Sequence, residues 1–443
     1  MFERATQSLG QLSREERWVY LAIASTFACY FIGALYLLAP ILGWSLIMLY
    51  SGRFFLNPVS LIGQRTSWMV WLWIAGIVIL LLALIIGHVN YGLGIGKTIK
   101  STIGWAKGWA LLGIFIFVGS QLKIRADVVI RAACFVGLCA LLITPVLVLA
   151  YILNLPGYLY VSPLKIFGGS GPEYFTVILY EIDPGNGSPR WRYFAPWAPA
   201  VGLVANIYLL CACFEKQQFW RLAGIAGNMI MIVLAASRMG LLVMIMVPTT
   251  VYFGSRMLRP WVWVIGVIAT ILILIFYEPL TAYVEQTIAQ IKDSRADSTR
   301  VRAALNDMAS YRWNTEAVWF GHGIVERGSH YVEFMPIGSH HNWYGLLFVK
   351  GLVGFLGFAI PFGITGIVLF YKCQTNRIAQ LGLGLFLILG FFSMSENIEA
   401  LAYMTWPAWL LIGISLRPDV IDPHSFLSLN KLSKHPSGVS YAA

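Results

Sequence analysis

Charged residues are scarce in this chain. Asp, Glu, Lys and Arg make up 12% of its 443 residues, against roughly 25% in a soluble domain. With 58% hydrophobic residues and a mean hydropathy of +0.72, that deficit excludes an ordinary water-soluble globule. Acidic residues are the scarcer sign, 20 against 31 Lys and Arg. In a soluble protein the excess of +11 would suggest nucleic acid; here the cations collect in one set of short loops, and no nucleic-acid partner is expected. Cysteine is limited to Cys29, Cys134, Cys139, Cys211, Cys213 and Cys373. All fall in apolar segments or beside short turns, so they read as core thiols, not a disulfide frame or a metal site. Alternating ten-residue strands are missing, which excludes a barrel. Met1 to Trp18 is polar and no small-residue cleavage site follows the first apolar run, so no cleavable leader is expected. There is no internal repeat.

What the chain has is long apolar runs. About twelve approach membrane-spanning length: residues 18–36, 37–50, 69–87, 103–120, 129–153, 196–213, 220–236, 239–254, 260–278, 342–371, 378–394 and 398–415. The expected fold class is therefore an all-α polytopic membrane protein. Lys and Arg in short loops set the orientation. With the N-terminus inside, the inner turns hold Arg53 and Arg65, Lys123 and Arg125, Lys216 and Arg221, Arg256 and Arg259, and Lys372 and Arg377. The outer loop at 88–102 has only Lys97 and Lys100, and the turn at 395–397 has no cation. Both termini are expected in the cytoplasm.

Two long loops then face outward, Asn154 to Ala195 and Pro279 to His340. The first is rich in turn signals such as Asp183-Pro184-Gly185-Asn186-Gly187. The second opens with Leu280, Val284, Ile288 and Ile291, a spacing that predicts an amphipathic interfacial helix. A second short helix is expected from Thr299 to Tyr311. The organisation is thus 1–278 (nine spans and the first loop), 279–340 (the large loop), 341–415 (three spans) and a basic tail at 416–443.

Polar residues of note cluster on the outer side. Ser237-Arg238 stands where two apolar segments meet; Arg238 is either a headgroup anchor or a phosphate clamp. Arg300 and Arg302 open the second loop helix, where a loop cation is ordinarily solvated. Arg190 and Arg192 close the first loop and add to an anionic site if they reach it. Four of seven histidines lie between positions 322 and 341: His322, His330, His340 and His341. Their spacing fits no zinc pattern, so an imidazole acting as base or hydrogen-bonding partner is expected, without metal or cofactor. His340-His341-Asn342 runs into an apolar segment carrying Gly351, Gly354 and Gly357, read as packing glycines. Glu396 and Glu399 occupy the last outer turn, either as helix-start carboxylates or as partners of His341. Lys350 is expected about 13 Å down that helix, where it needs a partner or a water path.

Taken in order, these motifs resemble the O-antigen ligase and O-antigen polymerase superfamily of bacterial membrane glycosyltransferases. The likeness rests on Ser237-Arg238 followed by Met239-Gly240-Leu241, on Arg300 followed by Gly321-His322-Gly323, and on His341-Asn342 leading into Gly351 and Gly354. It covers roughly residues 195–415. It implies a GT-C-like, metal-independent inverting transferase of the bacterial inner membrane. Such an enzyme takes a glycan from undecaprenyl diphosphate at the periplasmic face. The acceptor is lipid A–core in a ligase, or a growing glycan in a polymerase of O-antigen, capsule or exopolysaccharide. By motif, Arg238 and Arg300 would hold the diphosphate and His341 would act near the acceptor hydroxyl, with His340, Asn342, Arg192, Arg302, Glu396 and Glu399 as further substrate contacts. A transporter for the same lipid-linked glycan is the rival, but it would want polar groups near the midplane.

Overall fold

The computed structural model describes residues 12–56, 66–169, 171–183, 187–279, 281–283, 285–286, 296–338 and 341–418. They form a helical bundle. In chain order its helices are α1 Arg14–Ala24, α2 Thr26–Phe31, α3 Leu35–Leu56, α4 Trp68–Asn90, α5 Ile95–Lys107, α6 Trp109–Gln121, α7 Ala126–Ile152, α8 Ala198–Phe214, α9 Gln218–Leu234, α10 Arg238–Gly254, α11 Pro260–Ile275, α12 Ala296–Glu316, α13 Asn342–Lys372, α14 Arg377–Ser393 and α15 Ala402–Ser415. The strands described are short: β1 Tyr158–Val161 pairs antiparallel with β2 Thr176–Ile178, and β3 Glu181–Ile182 with β4 Pro189–Arg190. All four lie in the first long loop.

Five helices are long and apolar enough to cross a membrane, or six if Pro260–Ile275 and the bent continuation Tyr277–Tyr283 count as one span. One of the five is α5 and α6 taken together, interrupted at Gly108. Helices α8, α9, α10 and α14 are apolar but only 17 residues each. At 1.5 Å per residue they reach about 26 Å, less than a ~30 Å hydrocarbon core. Length alone therefore gives fewer crossings than the apolar runs of the sequence.

Several element boundaries depart from expectation. The first two runs become α1, a short α2 and a long α3, because Gly33 takes φ +67° and turns the chain. The run expected at 103–120 starts earlier, as the exposed helix α5, and bends into the buried α6. The loop helix expected at Thr299–Tyr311 is longer at both ends, as α12. The amphipathic start at 280–291 lies mostly outside the described residues.

Buried ion pairs fasten the end of the bundle opposite the long loops. Glu16 takes Arg125 in a fork, at 2.7 and 3.0 Å, and Glu215 takes Arg131 at 2.8 and 2.9 Å. Arg53 binds Glu15. Arg417 donates to the carbonyls of Gly119, Leu122 and Ile124 and so ties the end of α15 to the turn after α6. Some cations of the short turns thus serve the fold as well as orientation.

The feature that organises the other end is a break in α13. Gly351 has φ +61° and ψ −168°, a backbone state open in practice only to glycine. In an unbroken helix Trp343 and Phe362 would stand about 28 Å apart. Their ring centroids are 5.9 Å apart, and Trp343 also meets Phe355 at 5.6 Å and Phe358 at 5.5 Å. The short arm (342–350) therefore folds back beside the long arm (352–372). Residues 318–323 occupy the break. His322 and Gly323 donate their N–H groups to the carbonyls of Phe348 and Val349, while Leu352 and Val353 donate to Val318 and Trp319. The backbone groups freed by the break are satisfied there. Gly321, at φ +66°, lets this segment come close enough; a Cβ there would lie 2.4 Å from the Lys350 nitrogen.

This corrects two expectations. Gly351 is the hinge of a helical hairpin, not a packing glycine; Gly357 does pack, against Gly76 of α4. Lys350 is the last residue before the hinge, not a residue two and a half turns down a straight helix. The short arm also closes a second small core, in which Phe348 packs with Val301, Leu305 and Ala309 of α12 and with Val332 and Ile337.

Candidate functional site

Folding back the short arm brings its start, His341-Asn342, against the turn between α14 and α15. Asn342 Oδ1 accepts the N–H of Ile398 at 3.2 Å, and Trp343 Nε1 donates to Ser393 Oγ at 2.9 Å. Arg302 of α12 reaches the same turn and donates from Nη1 to the Ser395 carbonyl at 3.5 Å. From the third side Trp197, the N-cap of α8, donates its indole N–H to Glu396 Oε2 at 2.8 Å. Three elements distant in sequence thus converge on this turn.

Glu396 is at the centre and only 3% exposed. Burial pushes its carboxyl up to about 7, against the opposing pull of the Arg302 charge and the Trp197 indole. His341 is half-buried, and burial holds its imidazole below the ordinary range, so it is neutral at neutral pH. Two polar atoms here are buried without a hydrogen-bond partner among the described residues, Nδ1 of His341 and Nδ2 of Asn342. Leaving a buried polar atom unpaired costs about 1–3 kcal/mol. They belong to adjacent residues, and Asn342 bonds the turn that carries Glu396, so they mark a place open to completion by another group.

Glu399 faces the other way along the same turn. Its side chain lies against Gly108, and it is in electrostatic reach of Lys350 and Trp109. Glu399 is the carboxylate whose charge reaches Lys350 among the described residues. Beyond it Tyr36, Tyr174, Tyr403 and Trp197 meet edge to face or tilted, with centroids 5.1–5.9 Å apart.

The structure separates the arginines. Arg238 is exposed at the first position of α10, where Ser237 Oγ caps the helix by accepting the Gly240 N–H at 3.1 Å. The close contact of Gly240 with Gly202 sets this end of α10 against α8, little more than a turn from Trp197. Arg300 is exposed and donates to the Tyr331 carbonyl at 3.2 Å. Of the two loop-helix arginines it is Arg302 that meets the cluster. Arg192 does not join it: its guanidinium pairs with Glu181 and donates to the Pro196 carbonyl, while Arg190 pairs with Glu181 and Asp183. These two hold the first loop together. His322 is structural as well, bonded to Glu316 at 2.8 Å and to the Phe348 carbonyl, with Arg312 clamped between Glu316 and Glu326. The Arg312 fork and the His322 bond hold the Glu316 carboxyl down to about 2. His340 lies outside the described residues.

An apolar groove of about 290 Å³ runs between α8, α9, α10 and α14, with Val243, Val247 and Pro248 on its α10 wall. It begins little more than a turn beyond Arg238 and is remote from Glu396. Trp197 was not recognisable as a site residue from sequence; Glu399 and Lys350 were both noted there, but not as neighbours of each other. No family model matches the chain, and no curated protein is similar to it.

Proposed function

We propose that the protein transfers a glycan from undecaprenyl diphosphate to an acceptor hydroxyl at the periplasmic face of a bacterial inner membrane, and that it is an O-antigen ligase acting on lipid A–core. The observation that carries this is the pair of buried atoms on the adjacent residues His341 and Asn342, unsatisfied among the described residues, at the turn that holds Glu396. It supports a polar ligand entering an otherwise closed cluster. The motif resemblance supplies the chemistry.

In the proposed step the acceptor oxygen attacks the anomeric carbon. The bond from that carbon to the diphosphate breaks, and its electron pair leaves with the diphosphate oxygen. The acceptor proton passes to Nδ1 of His341, which is neutral and so able to take it, a contribution of typically 10²–10⁴-fold. Arg238 neutralises the departing diphosphate, since a guanidinium matches its oxygens in a fork and keeps its charge. Arg302, rather than Arg300, is the second cation. The groove beyond Arg238 suits the isoprenoid chain.

The same reading makes the loop end periplasmic, both termini cytoplasmic and the crossings about twelve; its support is the distribution of Lys and Arg over the short loops. Purified protein given lipid-linked glycan and lipid A–core should form a covalent product. Absence of any product with either class of acceptor would remove the transferase assignment.

A further inference from the structure

Helix α5 is the exposed first part of the interrupted span Ile95–Gln121. None of its 13 residues is buried against the protein. Ile95, Ile99 and Ile103 are 81%, 56% and 50% exposed and recur every four residues, so they share one face. Lys100 and Lys107 border that face, Lys97 lies about 60° further round from Lys100, and the helix has no carboxylate. It is not a loose strand of chain. Gly94, at φ +82°, starts it; Trp105 Nε1 donates to the Ile77 carbonyl of α4 at 3.2 Å; and Trp44 Nε1 of α3 donates to the Ala106 carbonyl at 3.1 Å. Lys107 is engaged, donating to the Phe167 carbonyl at 2.7 Å. Lys97 and Lys100 project from the exposed upper part.

Two observations say what covers this face. First, it continues an apolar belt: Trp44 and Met48 of α3 and Val78, Leu82 and Val89 of α4 are all exposed large side chains. Those helices are of spanning length and composition, so the surface continuous with them meets acyl chains. Secondly, the charged side chains of the same helix are all lysines, which complements a phosphate headgroup.

We infer that α5 is a docking site for an anionic glycerophospholipid, its acyl chains against Ile95, Ile99 and Ile103 and its phosphate between Lys97 and Lys100. The site is independent of the transferase assignment.

The test uses the full chain in nanodiscs of phosphatidylcholine containing a minority of phosphatidylglycerol, with retained lipid counted by native mass spectrometry after stepwise delipidation. Wild-type protein should retain phosphatidylglycerol over phosphatidylcholine. Lys97→Gln/Lys100→Gln should lower that preference about tenfold, from the loss of two charges near the headgroups. Lys97→Arg/Lys100→Arg should keep it, which separates charge from misfolding. Unchanged preference in the Gln variant, equal loss in both variants, or equal retention of the two lipids by wild type would each overturn the inference.

Discussion

Glu396 is held mostly protonated below neutrality because it is buried and its polar company is sparse. Its folded-state value of about 7 stands above the ordinary 4.5, so the folded state binds the proton more tightly than the unfolded chain. The resulting stabilisation is fully present below about pH 4.5 and is lost as pH rises through about 7. The melting temperature should therefore fall between about pH 5 and pH 8. Glu396→Gln should flatten that slope, removing a pH-dependent contribution of up to about 3 kcal/mol. A slope unchanged in the variant would show that another group titrates. The neighbouring arginines give a second test. Arg302→Ala removes the only cation paired electrostatically with Glu396 among the described residues, and should lower transfer by about tenfold or more, as for loss of a hydrogen bond to a charged group. Arg300→Ala, which loses a bond to the Tyr331 carbonyl on an exposed face, should change it much less. Equal effects would place both arginines in the site. The sequence could nominate both residues but not rank them. They sit two apart on one helix, and only the packing of α12 on the short arm decides which one turns inward.

At the scale of elements, the break at Gly351 is the piece on which the site depends. Without it His341 would begin a straight helix, far from the α14–α15 turn. Gly351→Ala adds a Cβ 2.4 Å from the carbonyl carbon and oxygen of Trp319 and also forces a non-glycine residue into a glycine-only region. The expected cost is about 3 kcal/mol or more, read as a lowered melting temperature with early proteolysis in the 318–338 segment. Gly363→Ala, at a helical position with open space around it, is the control and should be near neutral or slightly stabilising. The helix content of α13 was legible from composition, and its glycines were visible. Their meaning was not, because a glycine that breaks a helix and one that packs against a neighbour look alike until the partner strand of chain, here 318–323, is in place. Membrane-like composition was legible for the same reason that the crossing count was not. Hydropathy registers how apolar a run is, whereas α8, α9, α10 and α14 are each cut to 17 residues by turns and caps.

For the whole molecule, the arrangement gathers its unusual polar chemistry at one end. The opposite end is closed by ion pairs that leave their carboxylates buried and satisfied, Glu16 with Arg125 and Glu215 with Arg131. The loop end instead leaves buried side-chain nitrogens of His341 and Asn342 unpaired among the described residues, at the turn whose Glu396 carboxyl is largely neutral below pH 7. His341, Asn342, Arg302 and Glu396 were all on the list of candidates that the sequence offered. Its geometry came from the hairpin in α13 and from Trp197, which sequence did not single out because an aromatic residue at a helix start ordinarily anchors at an interface. The most direct test of the central claim is the transfer assay in nanodiscs with lipid-linked glycan and lipid A–core, comparing wild type with His341→Ala and Arg238→Ala proteins of equal melting temperature. The account predicts product from wild type, a fall of about 10²-fold or more in each variant, and no product without the acceptor. Full activity in both variants would contradict it.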